Sequence, residues 1–267
     1  VTKIEFESGK FYNSDCFDVM AELEAGSVDM VLADLPYGTT SCAWDAVLPF
    51  SQLWDSYWRL SKAAAPILLF GAEPFASTLR LSCFDNYRYD WYWRKTMPTG
   101  VAFAKFQPMR VVETISTFYK SRPIYNKQPT KTIISDRRIN EGRPNGSGSN
   151  GNSSHIKMKS RTQVQTENVS PRNLLEFKSI GNAGGHKIHP TQKPHELFEY
   201  LIRTYTNEGQ LVLDNTAGSG TTAIAAMNAG RRWICIEKDP VYYERAIERI
   251  RAHEIALKNR EPILETA

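Results

Sequence analysis

The sequence predicts an α/β fold, a doubly wound and mostly parallel sheet with helices on both faces, plus a basic irregular insertion. Three observations predict it. Short apolar runs alternate with amphipathic segments from Lys10 to about Lys120, the same alternation returns after about residue 172, and the pattern disappears in between. With 267 residues, 41% of them hydrophobic, the chain can bury one large core. Residues 1–120 and 172–267 are therefore expected to form one domain, and 121–171 an insertion into it.

Each element has its own cue. The run "KFYNS" starts a first strand, and "CFDVMAELEAG" from Cys16 reads as a helix. "SVDMVLA", ending at Ala33, is a continuous apolar run of strand length. "FSQLWDSYWRLSK" places Phe50, Leu53, Trp54, Tyr57 and Leu60 at helical spacing, and "APILLFG" follows as a buried strand. Trp91 and Trp93 alternate on a further strand. Beyond the insertion come the helix "HELFEYLIRTYTNEG" and the strand "QLVLD", then the helix "GTTAIAAMNAG", the strand "RRWICIE" and the helix "DPVYYERAIERIRAHEIAL". Ala223, Ala225 and Ala226 in the second of these helices permit close packing.

The insertion contains "NEGRPNGSGSNGNSS", which has little to bury. From Arg94 to Arg172, fifteen Lys or Arg face only Glu113, Asp136, Glu141 and Glu167, a local excess of eleven in a chain of net charge +4. Such a segment, with Trp91, Trp93, Phe103, Phe106, Phe118 and Tyr119 within or beside it, suits a polyanion that offers phosphates and bases. Cys16, Cys42, Cys83 and Cys235 lack zinc or disulfide-scaffold spacing, and the histidines share no metal-ligand spacing, so reduced cysteines and no metal are expected. No apolar run is long enough to cross a bilayer, so no membrane partner is expected.

Two stretches carry chemistry. "ADLPYG" sets an acid, a proline and an aromatic ring where a strand ends, and taken alone it reads as a turn. "LVLDNTAGSGTTAIAAMNAGRRWICIEKD" joins a strand ending at Asp214 to a glycine turn, Ala217 to Gly220, and a helix. Gly218 and Gly220 would allow close backbone approach to a ligand. The Lys that a P-loop needs is absent, and Thr221 and Thr222 stand there instead. Glu237 closes the next strand about twenty residues after the loop, where a carboxylate can accept ribose hydroxyls. A nucleoside-containing cofactor fits best.

With "DLPY" at 34–37, "HPTQKP" at 189–194 and "LDNTAGSGTT" at 213–222 followed by "ICIEKD", the chain resembles the S-adenosylmethionine-dependent DNA amino-methyltransferases. The order of the motifs is similar to the permuted β group of that family, whose core is Rossmann-like. The resemblance implies that Asp34, Pro36 and Tyr37 are catalytic, with Asp34 and a main-chain carbonyl accepting the hydrogens of an exocyclic amino group and Tyr37 stacking on a flipped base through its ring face. It implies a cofactor site of Asp15, Cys16, Asp34, Thr191, Lys193, Asp214, Thr216, Ala217, Gly218, Ser219, Gly220, Thr221 and Glu237. Within it Asp15 meets the adenine, Glu237 the ribose, and Thr191 and Lys193 the methionine end.

The resemblance also implies adenine as the target, since family members acting on adenine usually have Asp at the first motif position, as Asp34 stands here, and cytosine-amino enzymes more often have Ser. Thr216 departs from the aromatic residue frequent there, and Leu35 from a frequent proline. DNA contacts are expected from Arg137, Arg138, Lys157, Lys159 and Arg161 in the inserted target-recognition region. Double-stranded DNA is the expected partner, with room for a homodimer and a partner restriction endonuclease, in a cytoplasmic, nucleoid-associated setting. Cytosine-N4 or RNA adenine methylation, or a silent nucleic-acid-binding relative, are the alternatives.

Overall fold

The computed structural model describes residues 2–38, 45–128, 132–134, 163–165, 170–181, 188–189 and 192–259. It divides into two units, Val1–Asn126 with Asn173–Ala267, and Lys127–Arg172. In the first unit the chain runs β1 (Thr2–Glu5), β2 (Gly9–Asn13), α1 (Cys16–Glu22), β3 (Met30–Ala33), α2 (Phe50–Leu60), β4 (Ile67–Gly71), α3 (Phe75–Ser82), β5 (Tyr87–Thr99) and β6 (Arg110–Phe118). In the second unit β7 (Thr132–Ile134) pairs antiparallel with β8 (Gln163–Gln165). The first unit resumes with β9 (Leu174–Phe177), α4 (His195–Tyr205), β10 (Leu211–Asp214), α5 (Thr221–Asn228), β11 (Arg232–Glu237) and α6 (Pro240–Lys258).

Nine strands form one sheet in the order β1-β2-β11-β10-β3-β4-β6-β5-β9. The centre from β2 to β4 is parallel throughout, while β1 and the β5–β6 hairpin join it antiparallel. Side-chain alternation shows that both faces are covered. In β3, Met30 and Leu32 enter one core while Val31 and Ala33 enter the other, and in β4 Leu68 and Phe70 oppose Ile67 and Leu69 in the same way. All eight are fully buried. A strand buried on both faces needs such a continuous apolar run, and each fully buried large side chain contributes roughly 1.5–3 kcal/mol.

Local chemistry fixes the ends that matter. Asp15 caps α1 by accepting from the Phe17 amide at 3.0 Å, and Asp239 caps α6 ahead of Pro240. The apolar runs and amphipathic segments read from the sequence all become elements, usually trimmed by one to four residues. Sequence reading did not foresee β1, α3 or β9, nor that the strand carrying Trp91 and Trp93 turns back as an antiparallel hairpin. Trp91, Trp93 and Phe118, considered above as base contacts, are buried in the core.

The topology places the ligand side. Successive strands move outward from β10 to β11 and, in the opposite sense, from β3 to β4, so the winding reverses between β10 and β3. In open α/β sheets, ligands bind beyond the carboxyl ends of the strands at such a reversal. Asp214 ends β10 and Asp34 follows the last residue of β3.

Candidate active site

A cavity of about 430 Å³ opens at that point. Of the residues the sequence nominated, Asp15, Cys16, Asp34, Pro36, Tyr37, Lys193, Asp214, Thr216, Ala217, Gly218, Ser219, Thr221 and Glu237 line it. Gly220 does not. Its φ of +71° meets the left-handed turn that starts α5, and a Cβ there would lie 2.8 Å from Ile250, so glycine serves packing against α6 instead of ligand approach. Thr191, Arg137, Arg138, Lys157, Lys159 and Arg161 lie outside the described residues, as do Cys42 and Trp44.

Asp34 is half-buried and both its oxygens are engaged. Oδ1 accepts from the Tyr37 hydroxyl and Oδ2 from the Lys193 ammonium, each at 2.7 Å. The Lys193 Nζ also lies 3.3 Å from Glu113 Oε2, and Glu113 Oε1 is 2.9 Å from the buried Lys95 Nζ. Two lysines and two carboxylates thus alternate from Lys95 on β5 to Asp34 in the cavity wall. Lys193, expected to face a ligand carboxylate, faces two carboxylates of the protein. Burial raises the Asp34 carboxyl above the ordinary aspartate range, Lys193 opposes that, and Glu113 adds to it. Burial lowers the Lys193 ammonium, but Asp34 and Glu113 outweigh it and the pKa is raised. The proton of the pair therefore rests on the lysine.

Tyr37 makes two contacts within the protein. Its ring stacks on Phe75 with centroids 4.9 Å apart, while its hydroxyl orients Asp34. The hydroxyl thus has a structural partner beside the ring face that the sequence reading emphasised. The side chain of Thr216, where an aromatic residue is frequent, donates to the Asp34 main-chain carbonyl at 3.1 Å and ties β3 to the glycine turn.

The other half is built from carboxylates that organise backbone. Asp214 accepts from the Thr216 amide and the Thr222 hydroxyl, and burial pushes its pKa up to about 7. Glu237 accepts from the Gly218 amide through Oε2 and the Asp239 amide through Oε1, each at 2.8 Å. Burial raises the Glu237 carboxyl and those amides oppose the rise. Asn215 takes the Tyr57 hydroxyl at 2.6 Å on its oxygen, while its Nδ2 is buried without a hydrogen-bond partner among the described residues. Asp15, besides capping α1, receives Lys238 at 3.0 Å.

Sequence reasoning missed Lys95, Glu113, Asn215 and the Phe75 platform. Glu113 carried a signal: no other acid occurs between Asp90 and Asp136.

The fold has close structural counterparts. The crystal structure of the M1.HpyAVI–SAM complex aligns with a TM-score of 0.60 at 21% identity, over 91% of this chain and 98% of that one. The PvuII DNA methyltransferase, described as cytosine-N4-specific, aligns with a TM-score of 0.61 at 18% identity, over 96% and 94%. In sequence, the chain is 26% identical to the type II methyltransferase M.HpaI of Haemophilus parainfluenzae over 254 residues, covering 89% of this chain and 72% of the relative. It is 27% identical to M1.MboII of Moraxella bovis over 256 residues, covering 90% and 95%. A family model described as DNA methylase matches residues 28–248, from just before β3 into α6, so it takes in both the Asp34 turn and the Asp214–Glu237 loop. By that match the chain belongs to the DNA methylase family.

Proposed function

We propose that this chain is a DNA adenine-N6 methyltransferase of the permuted β group, using S-adenosylmethionine. One observation carries the reading: Asp34, already oriented by Tyr37 and Lys193, shares a single cavity with the Asp214–Glu237 loop. The donor set suits the cofactor. Asp15, Asp34, Asp214 and Glu237 give an acidic lining for a cationic nucleoside, and the buried Asn215 Nδ2 has no hydrogen-bond acceptor within normal distance among the described residues. Glu237 would hold the ribose, and Asp214 with the 216–219 backbone would border the methionine portion. When bound, S-adenosylmethionine supplies a methyl group on a sulfonium sulfur.

The protein's part is orientation. An exocyclic amino nitrogen is a poor nucleophile because its lone pair is delocalised into the ring. Each Asp34 oxygen keeps acceptor capacity beyond its present partner, so the carboxylate can take an amino hydrogen and leave the nitrogen lone pair facing the methyl carbon. Alignment of nitrogen, carbon and sulfur then supplies several orders of magnitude. Once the nitrogen had accepted the methyl group from the sulfonium, which would leave as a neutral thioether, Asp34 would pass the surplus amino proton to solvent. Tyr37, backed by Phe75, would stack on the base extruded from the duplex.

Asp at position 34 supports adenine. The test is methyl transfer from labelled S-adenosylmethionine to genomic DNA of a methylation-deficient host, followed by nucleoside analysis. Label in N6-methyldeoxyadenosine that disappears with Asp34→Ala, cofactor binding retained, is the expected result. Label in N4-methyldeoxycytidine would overturn the base assignment, and cofactor binding without transfer would overturn the activity. We assign residues 121–171 to target recognition on their basic, Gly/Ser/Asn-rich composition. Neutral substitutions at Arg137 and Arg138 are then expected to weaken DNA binding and flatten its salt dependence.

A further inference from the structure

The β5–β6 hairpin overhangs the ligand side of the sheet. Gly71, the last residue of β4, pairs with Thr114, so β6 residues 110–113 and the facing part of β5 extend past the carboxyl end of β4. Strand β9 follows β5 only as far as Lys95. Beyond it the hairpin closes in a compact loop. Gly100 takes φ +88°, the Phe103 amide bonds to the Gly100 carbonyl at 3.0 Å, and the Phe106 and Gln107 amides both bond to the Phe103 carbonyl.

This ordered tip exposes apolar side chains. Phe106 is 88% exposed, Val101 70%, Phe103 56% and Met97 54%, an arrangement that costs solvation and is uncommon on a surface without a partner. Between Asp90 and Glu113 the chain has Arg94, Lys95, Lys105 and Arg110 and no acid. Aromatic rings flanked by cations, with no negative charge among them, suit a polyanion with apolar base faces and do not suit a basic or purely apolar protein surface.

The root of the hairpin is fastened to the reacting centre. Lys95 on β5 pairs with Glu113 on β6, Glu113 with Lys193, and Lys193 with Asp34, at 2.9, 3.3 and 2.7 Å. Arg110 lies only three residues, about 10 Å of strand, beyond Glu113. A duplex that delivers a base to Asp34 therefore passes this tip.

We infer that the 97–110 hairpin tip is a duplex-contacting wedge: Phe103 and Phe106 pack against base faces beside the extruded nucleotide, and Lys105 and Arg110 take flanking phosphates. The inference rests on the DNA-methylating reading above and names the surface that props the duplex open. A wedge of this kind offsets unstacking by replacing base contacts with ring contacts.

The test uses the full chain and duplex genomic DNA from a methylation-deficient host. A benzophenone amino acid at position 106 is expected to crosslink to DNA, and one at Phe84, 66% exposed beside the other end of β5, is not. Phe103→Ala with Phe106→Ala should lower kcat/KM on duplex at least about fivefold while cofactor affinity by calorimetry stays unchanged, and Phe84→Ala should leave turnover intact. Wild-type turnover in the double variant would overturn the wedge. Crosslinking of position 106 to a second copy, with a changed sedimentation coefficient in the double variant, would do so too and make the patch an interface between copies. Absence of methyl transfer by the unaltered chain would instead refute the activity itself, so the two failures are distinguishable.

Discussion

Lys193→Gln removes one positive charge from between two carboxylates and leaves Asp34 without its counterion. Lys193 and Asp34 side chains are 8% and 18% exposed, so solvent replaces little of the lost interaction. At 2.7 Å and an effective dielectric constant of 20, the attraction is about 6 kcal/mol, and breaking one partner of a buried pair typically costs about 3–5 kcal/mol. With that attraction gone, the Asp34 pKa should rise further above the ordinary aspartate range. Burial and Glu113 already push that carboxyl up, and Lys193 is the main group that opposes them, with the Tyr37 hydroxyl adding a smaller contribution. Methyl transfer needs ionised Asp34, so activity is present above its pKa and lost as pH falls through it. The acid limb of log kcat/KM against pH, measured for DNA at saturating cofactor, should therefore move upward in Lys193→Gln. Glu113→Gln removes the charge that raises Asp34 and should move the same limb downward, by a smaller amount. Opposite displacements by two neighbouring substitutions would not arise from general damage to the site. Coincident limbs in the wild type and both variants would refute the assignment of Asp34 as the titrating group.

Three other outcomes follow from the geometry. Tyr37→Phe keeps the ring on Phe75 but removes the 2.7 Å bond to Asp34, so kcat should fall about ten- to a hundredfold with cofactor affinity unchanged, and single-turnover kinetics on DNA checks it. Glu237→Gln keeps one acceptor for the Gly218 and Asp239 amides but loses the charge, and calorimetry should show about tenfold or more weaker binding of S-adenosylmethionine. Asp214, pushed up to about 7, holds its proton in the folded state across a window where the unfolded chain has lost it, so it makes stability fall as pH rises from about 4 to about 7. Asp214→Asn should flatten that part of the urea-denaturation profile and raise stability at pH 8 by up to about 4 kcal/mol, and an unchanged slope would reject the buried-acid account.

Much of the fold was legible because the central strands are buried on both faces and must be apolar throughout: "MVLA" and "ILLFG" admit few other readings. Asp34 and Asp214 were legible as partners because each stands where such a strand ends. Lys95 and Glu113 were not, since their roles depend on the antiparallel return of β6, and nothing local in "VVET" shows which strand it will face. Tyr37 was recognised for its ring alone, because the 2.7 Å contact of its hydroxyl depends on the turn geometry between two residues three apart. Gly220 was read as serving a ligand, whereas Ile250, thirty residues later, sets its constraint. Long-range packing of this sort leaves no periodic trace in sequence.

Strands β10 and β11 come from residues 211–237 yet lie between β2 and β3, which come from residues 9–33. During synthesis β2 and β3 emerge early without being neighbours, and each waits with an unpaired edge until some two hundred further residues have followed. Such edges recruit other strands, and pairings this distant in sequence form slowly. The late segment is therefore the keystone of the sheet: Trp233 of β11 lies so close over Gly9 of β2 that a Cβ at Gly9 would fall 2.2 Å from its ring. A chain arrested before residue 211 would lack far more than a cofactor loop, because β1–β2 would be cut off from the strands that carry Asp34. The same residues that border the proposed cofactor site join the two ends of the sheet, so ligand binding there should also slow unfolding of the whole domain.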